Sequence, residues 1–310
     1  MKAYDFEFDN RKLSDYGMII CNFGNKGLET ISNGANITFN TTPSLGGSKH
    51  NLVSTAYEDC LETTIQICKN PCDGDAMEIK SHKFRELTKW LSRKKFLKFK
   101  ILDENYIDLY FEASFNISRI EIDSKLVGLE LEVVTNRPFA LKEPQIINVR
   151  TKKLYTWQKY NKTSDGKMGE FTGKSVTSND RHAYPNSGVK DNYYYVYLKE
   201  ENVVSINDIS HEEGYIYPYT EITVNENGNL NIYNVLEDRD TYIANCIADE
   251  VITMDYPIIQ SSVSSHNIQN DFNWNFFRIA NTFENSRNDL IISLPCEIKI
   301  KYSPIVKVGL

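Results

Sequence analysis

The stretch HKFRELTKWLSRKKFLKFKILDENYIDLYFEASF, residues 82–115, changes its hydrophobic period half-way along. In its first part Phe84, Leu87 and Leu91 recur at helical spacing with Trp90 beside them, which predicts an amphipathic helix over 81–95. Ser81 stands where an N-cap belongs. Arg93, Lys94 and Lys95 collect where a helix dipole favours cations. The period then drops to two. FLKFKIL (96–102) reads as a strand, and in NYIDLYFEASF (105–115) Ile107, Leu109 and Phe111 share one face against Tyr106, Asp108, Tyr110 and Glu112. Asp103-Glu104-Asn105 supplies the hairpin connection. A lone helix feeding a hairpin is the mark of a β-rich domain with one helix packed on it.

Alternation continues on both sides. Leu61, Thr63, Ile65 and Ile67 share a face of CLETTIQIC (60–68), as do Val127, Leu129, Leu131 and Val133 in LVGLELEVV (126–134). Asp123-Ser124-Lys125 is a turn between strands. NRPFALKEP (136–144), with two prolines, reads as a domain junction, and QIINVR (145–150) as a strand beyond it. The pattern dissolves over 151–182, which is polar and nearly free of aliphatic residues. It resumes in TEITVNENGNLNIYNV (220–235), where Asn225–Asn229 predicts a hairpin turn, and in DLIISLPCEIKIKYSPIVKVGL (289–310). Three regions follow. Residues 1–140 form the β-rich domain, 141–150 with 203–310 form a second, all-β unit, and 151–202 is an insert.

Charge follows the same division. Net charge is −1 over residues 1–150, +3 over 151–202 and −9 over 203–310, within a total of −7. An acidic last segment does not suit a nucleic-acid partner. No apolar run is long enough to span a membrane, and the N-terminus carries no secretory h-region. Six cysteines, at 21, 60, 68, 72, 246 and 296, make no disulfide framework in a chain of 310 residues and fit a reduced cytosolic product.

Catalytic signatures are missing: there is no HExxH, GxSxG or GxGxxG. TGKS (172–175) ends like a phosphate-binding loop, but Met168 stands where its first glycine belongs and no apolar strand precedes it. Cys68, Cys72, Asp73, Asp75 and His82 suggest a zinc corner only until a second paired motif is sought; CKNPCDGD reads as a strand end entering turns. No enzyme, cofactor or metal is expected. Two features remain open. Lys80, Lys83, Arg85, Lys89, Arg93, Lys94, Lys95, Lys98 and Lys100 face Glu86 alone between 80 and 100. They read as a solvated face, a docking face for an acidic neighbour, or a phosphate-binding face. In AYPNSGVKDNYYYVYL (183–198), Tyr193, Tyr195 and Tyr197 point one way and Tyr194, Val196 and Leu198 the other. With Trp157 and Tyr160 the first three form either the core of a small module or a platform for a glycan or a partner.

Three stretches in this order resemble the distal tail proteins of long-tailed phages with non-contractile tails. They are YDFEFDNRKLSDYGMIICNF (4–23), the run from ETTIQICKNPC to LVGLELEVVTNRPFA (62–140), and EEGYIYPYTEITVN (212–225) with ENSRNDLIIS to IKIKYSP (284–304). The resemblance implies a ring-forming belt domain followed by a galectin-like β-sandwich, here with a Tyr/Trp-rich insertion. It implies a homohexamer at the tail tip of the virion, assembled in the bacterial host cytoplasm. Its implied partners are its own copies, the tail tube protein, a tail-tip protein, and a receptor-binding protein or cell-wall polysaccharide. Phe84, Leu87, Trp90, Arg93, Lys94 and Lys95 are the expected ring interface. The alternative function is a carbohydrate-binding adhesin acting through the insert and the sandwich.

Overall fold

The computed structural model describes residues 4–24, 37–43, 50–57, 60–73, 77–185, 187–282 and 284–308. The chain is mainly β and divides into two compact units, Met1–Glu143 with Ser303–Leu310, and Pro144–Tyr302.

In the first unit the spine is a pair of long strands, Leu109–Ile122 and Lys125–Thr135. Asp123 and Ser124 between them both take positive φ, 50° and 62°, and Ile122 faces Lys125 across the turn. That is the two-residue geometry whose twist matches its flanking strands. Leu97–Ile101, Phe6–Phe8 and Arg11–Lys12 extend the sheet on one side, and Glu62–Lys69 and Met18–Cys21 on the other, all antiparallel. Ala140–Lys142 pairs with the start of the Leu109–Ile122 strand and with Ile305–Val306, so the chain's last described strand returns to the unit that holds its first.

The helix is Ser81–Leu91, shorter than its predicted span. Lys80 rather than Ser81 is the capping residue, and the helix ends where Ser92 turns extended. Its inward stripe, Leu87, Trp90 and Leu91, joins Phe6, Phe8, Phe99, Phe111 and Phe115 in one core. Ile107 departs from expectation. It sits in the irregular connection before the strand, is exposed, and contributes nothing to the alternating face.

The second unit is a sandwich. Gln145–Arg150, Cys296–Tyr302, Tyr219–Val224, Val251–Asp255 and Ile258–Ser261 form one sheet. The other runs Met168–Ser178, Lys152–Lys162, Tyr193–Asn207, Arg287–Ile292, Gly228–Asn234 and Arg239–Cys246, with Ser187–Lys190 on the free end of Tyr193–Asn207. Inward residues of both, among them Ile222, Ile252, Ile298, Ile232, Leu290 and Ile292, share a single core.

Two expectations change here. The strands around Asn225–Asn229 do not form a hairpin: Tyr219–Val224 pairs in one sheet and Gly228–Asn234 in the other, so the turn is an arch across the core. And 151–182 is not patternless. It holds two 11-residue strands, Lys152–Lys162 and Met168–Ser178. TGKS lies inside the second, where the register with its partner slips between Tyr160 and Lys159, and Gly173 takes a φ of 73°. This is the conformation a β-bulge asks of glycine.

Candidate functional site

The helix and the strand after it decide what the first unit offers a partner. Trp90 stacks on Tyr16 at 4.4 Å and on Phe6 at 5.8 Å between ring centroids, and its Nε1 donates to the Phe8 carbonyl at 3.0 Å. Leu87 is equally buried. Both were expected at a ring interface; they are spent on the unit's own core, because an amphipathic helix has only one apolar stripe. Phe84 is half-buried under the Arg119 guanidinium, 4.5 Å from its centroid. Arg93 donates to the Trp90 carbonyl and lies 3.6 Å from Asp9, closing the helix C-terminus. Lys94 and Lys95 stay exposed.

Of the nine cations, four are held within the chain. Lys83 pairs with Glu86 and Arg93 with Asp9, while Lys98 and Lys100 grip Glu143 from neighbouring positions of one strand face. Hydrogen bonds from Lys100 and Lys98 hold the Glu143 carboxyl below its ordinary range. Lys80, Arg85, Lys89, Lys94 and Lys95 are exposed and have no carboxylate partner among the described residues. A cleft of about 260 Å³ opens beside the helix start, with Lys69, Lys80, Lys83 and His82 around Tyr16.

A second surface had no sequence expectation. Among the described residues, the strands Ile37–Pro43 and His50–Tyr57 pair only with each other and form a two-stranded ribbon. Ile37, Phe39 and Leu52 lie on one of its faces and are exposed, as is Val53 at the register slip opposite Asn40 and Thr41. Tyr57 anchors the base of the ribbon against Phe139 at 6.4 Å. An isolated ribbon with bare apolar side chains is not stable on its own account, and it is an edge that pairs readily.

In the second unit most of the rings that the sequence reads as a core or a platform pack against one another. Trp157 and Tyr195 are buried, with Tyr155, in a small aromatic core closed by Tyr184, Tyr193, Tyr197 and Val176. Trp157 lies 5.2 Å from Tyr184 and 5.9 Å from Tyr197. Lys159 Nζ sits 3.6 Å above the Tyr193 ring, and Tyr160 packs on Phe171 at 5.3 Å. Trp157, Tyr193, Tyr195 and Tyr197 therefore build a core, whereas Tyr160, paired opposite Tyr194, lies on the other face of the sheet beside Phe171. Tyr193, Tyr195 and Tyr197 share a side, as their alternation predicts. A bulge at Leu198, where Thr156 faces Lys199 but Trp157 faces Tyr197, then shifts the phase so that Asn202, Val204 and Ile206 continue the same inward face. One 15-residue strand thereby serves both cores.

Of the dismissed zinc corner, Cys68 is buried in its strand and Cys72 exposed in the turn after it, and Asp75 lies outside the described residues.

Two family models match the sequence: a phage tail protein N-terminal domain over residues 1–137 and a phage tail C-terminal domain over residues 188–302. The chain belongs to a family of phage tail proteins. No curated protein matches it. Among solved structures, the tail protein is similar to the Dit (gp 19.1) protein of phage SPP1, described as "a Paradigm of Hub Adsorption Apparatus in Gram-positive Infecting Phages". The match covers 97% of this chain and 99% of that one, with a TM-score of 0.52 at 8% identity. At that identity the likeness concerns the fold, and the fold is that of a distal tail protein from end to end. The C-terminal family match begins at residue 188, so the tyrosine strand lies inside it, whereas the Lys152–Lys162 and Met168–Ser178 strands fall between the two matches.

Proposed function

We propose that this tail protein is the hub of the tail tip: a ring of six copies that joins the tail tube to the adsorption proteins beyond it and has no catalytic task. The observation that carries the reading is the end-to-end correspondence of its fold with a distal tail protein, in a chain whose two halves each match a phage tail domain. The first unit is the ring-former in this proposal and the sandwich, galectin-like in architecture, the peripheral part.

The contacts are assigned from what the surface leaves unsatisfied. A closed ring needs two different, complementary patches on each copy. The exposed apolar ribbon around Phe39 and Leu52 is one, because it gains most from being covered. The basic face of Arg85, Lys89, Lys94 and Lys95 finds no acidic complement in that ribbon and is a separate docking face. It suits an acidic neighbour and would steer assembly more than hold it. The tube and tip proteins then meet the two faces of the ring.

An antiserum raised against the recombinant chain tests the location. On purified virions viewed by electron microscopy, label is expected at the end of the tail away from the capsid. Label distributed along the tube would contradict a hub.

A further inference from the structure

Away from the small aromatic core, the second unit carries a ladder of rings that its packing does not fully use. Tyr215 lies 5.5 Å from Tyr217, and Tyr217 stacks on Tyr256 at 4.3 Å with the planes 12° apart. Tyr256 meets Phe276 edge-on at 5.3 Å, and Trp274 lies 6.4 Å beyond Phe276. Phe276 is buried, but Tyr215, Tyr256 and Trp274 are 56%, 57% and 56% exposed. Each therefore has support on one side and solvent on the other. For Tyr215 the support is the Arg278 guanidinium, 4.0 Å from its centroid and itself paired with Glu237 at 2.6 Å.

Trp274 is held where a tryptophan is least at home. Its φ is 60°, in the left-handed region that a bulky side chain rarely adopts. The residues on both sides are pinned. Asn273 N donates to the Tyr242 carbonyl at 3.0 Å, and the Asn273 Oδ1 accepts from the backbone N–H of Tyr242 and of Asn275. Arg239 donates to the Asn275 Oδ1 and to the Phe276 carbonyl. The fold thus spends backbone strain and several hydrogen bonds to fix a large ring in water. Strain kept at an exposed ring is expected where a site must be rigid before its ligand arrives.

We propose that Tyr215, Tyr256 and Trp274 form a binding platform for a neutral polysaccharide. A pyranose presents a C–H face that packs on an aromatic ring and a hydroxyl rim that needs polar neighbours. Here Asp255, Asn273 and Asn275 adjoin the rings in sequence, Arg278 lies against Tyr215, and all four can serve that rim, with Pro257 and Ile258 exposed beside Tyr256 as further apolar surface. Rigid tyrosine and tryptophan supply that contact area at low entropic cost. Residues 203–310 carry a net charge of −9, which disfavours phosphate-rich or sulfated polymers and leaves neutral chains as the fitting class. The platform adds recognition to the hub and does not depend on how many copies form a ring.

The test uses the full chain and three neutral hexasaccharides: maltohexaose, cellohexaose and the hexamer of N-acetylglucosamine. Trp90 and Trp157 are buried, so a change in tryptophan emission on titration reports Trp274. A saturable change is expected with at least one of the three. Trp274→Asn and Tyr256→Ala should each weaken binding about tenfold or more, while Tyr160→Ala leaves it unchanged. Asparagine tolerates the left-handed backbone, so Trp274→Asn should melt no lower than the parent, and its loss of binding would not be unfolding. No saturable change with any of the three up to about 10 mM overturns the proposal, as does binding that survives both substitutions. If instead no sugar binds and Trp274→Asn stops co-purification with other tail proteins, the patch is a protein interface and the proposal fails.

Discussion

Trp90 stacks on Tyr16 and Phe6 and satisfies the Phe8 carbonyl, so it ties the helix to the strand that opens the first unit. Trp90→Ala is expected to cost about 3–5 kcal/mol, measured as a lower midpoint in urea unfolding, through the cavity and the lost partner together. In the second unit a buried carboxylate does comparable fixing. Glu250 is fully buried and accepts from Ser261 Oγ, the Ile247 N–H and His266 Nδ1 at 2.5–2.9 Å, with Asp271 3.3 Å from the far side of the imidazole. Burial pushes its pKa up, but the hydrogen bonds outweigh burial and leave it below the usual carboxylate value. A group depressed in the folded state contributes stability above its unfolded pKa and loses it as pH falls through the folded one. Melting temperature should therefore drop on acidification below about pH 4, and Glu250→Gln should lower it at neutral pH while flattening that acid slope. A thermal melt series across pH checks both. Neither Glu250 nor Trp274 announces itself in the sequence. Burial of one and exposure of the other depend on which distant strands close over them. Only the asparagines flanking Trp274 hint at a turn that tolerates a left-handed residue.

Among elements, what was legible followed from local chemistry. Alternation and the Asp123-Ser124 turn fix the long hairpin by themselves, and the apolar stripe fixes the inner face of the helix. The arch at 225–227 was not legible, because the same Asn-Gly-rich turn residues serve a hairpin or a crossing between sheets. Which it is depends on strands far away in sequence, such as Cys296–Tyr302, whose Lys301 pairs with Tyr219 and whose Cys296 pairs with Val224. The Lys152–Lys162 and Met168–Ser178 strands were missed for another reason. Their inward face is mostly aromatic, with Val176 the one aliphatic residue among those described that packs on that core, so no aliphatic alternation marks it. The bulge at Leu198 carries a sharp prediction. Deleting Leu198 removes the extra residue and leaves both sets in unbroken alternation on one face, so that variant should keep cooperative unfolding seen by near-UV circular dichroism. One alanine inserted after Leu198 instead forces either Tyr193, Tyr195 and Tyr197 or Val204 and Ile206 to the wrong face, or the strand out of register with its partner, and should lose it. The ribbon predicts the opposite behaviour. Phe39→Ser with Leu52→Ser should change stability by no more than about 0.5 kcal/mol per site, since both are exposed, yet should reduce self-association in sedimentation velocity.

At the scale of the whole molecule, the order of the elements is legible in the sequence as a phage distal tail pattern, and the fold agrees with it. The surfaces that would close a ring were not readable from composition. The residues first expected there, Leu87 and Trp90, belong to the core, and the exposed ribbon has no motif that separates it from an ordinary hairpin. The ring is the central claim, and its mass is the most direct test. Light scattering on the purified chain over a concentration series, alone and with the tail tube and tail-tip proteins added, should give about six times 35.8 kDa in at least one condition. A mass of one chain throughout, with both partners present, would contradict it.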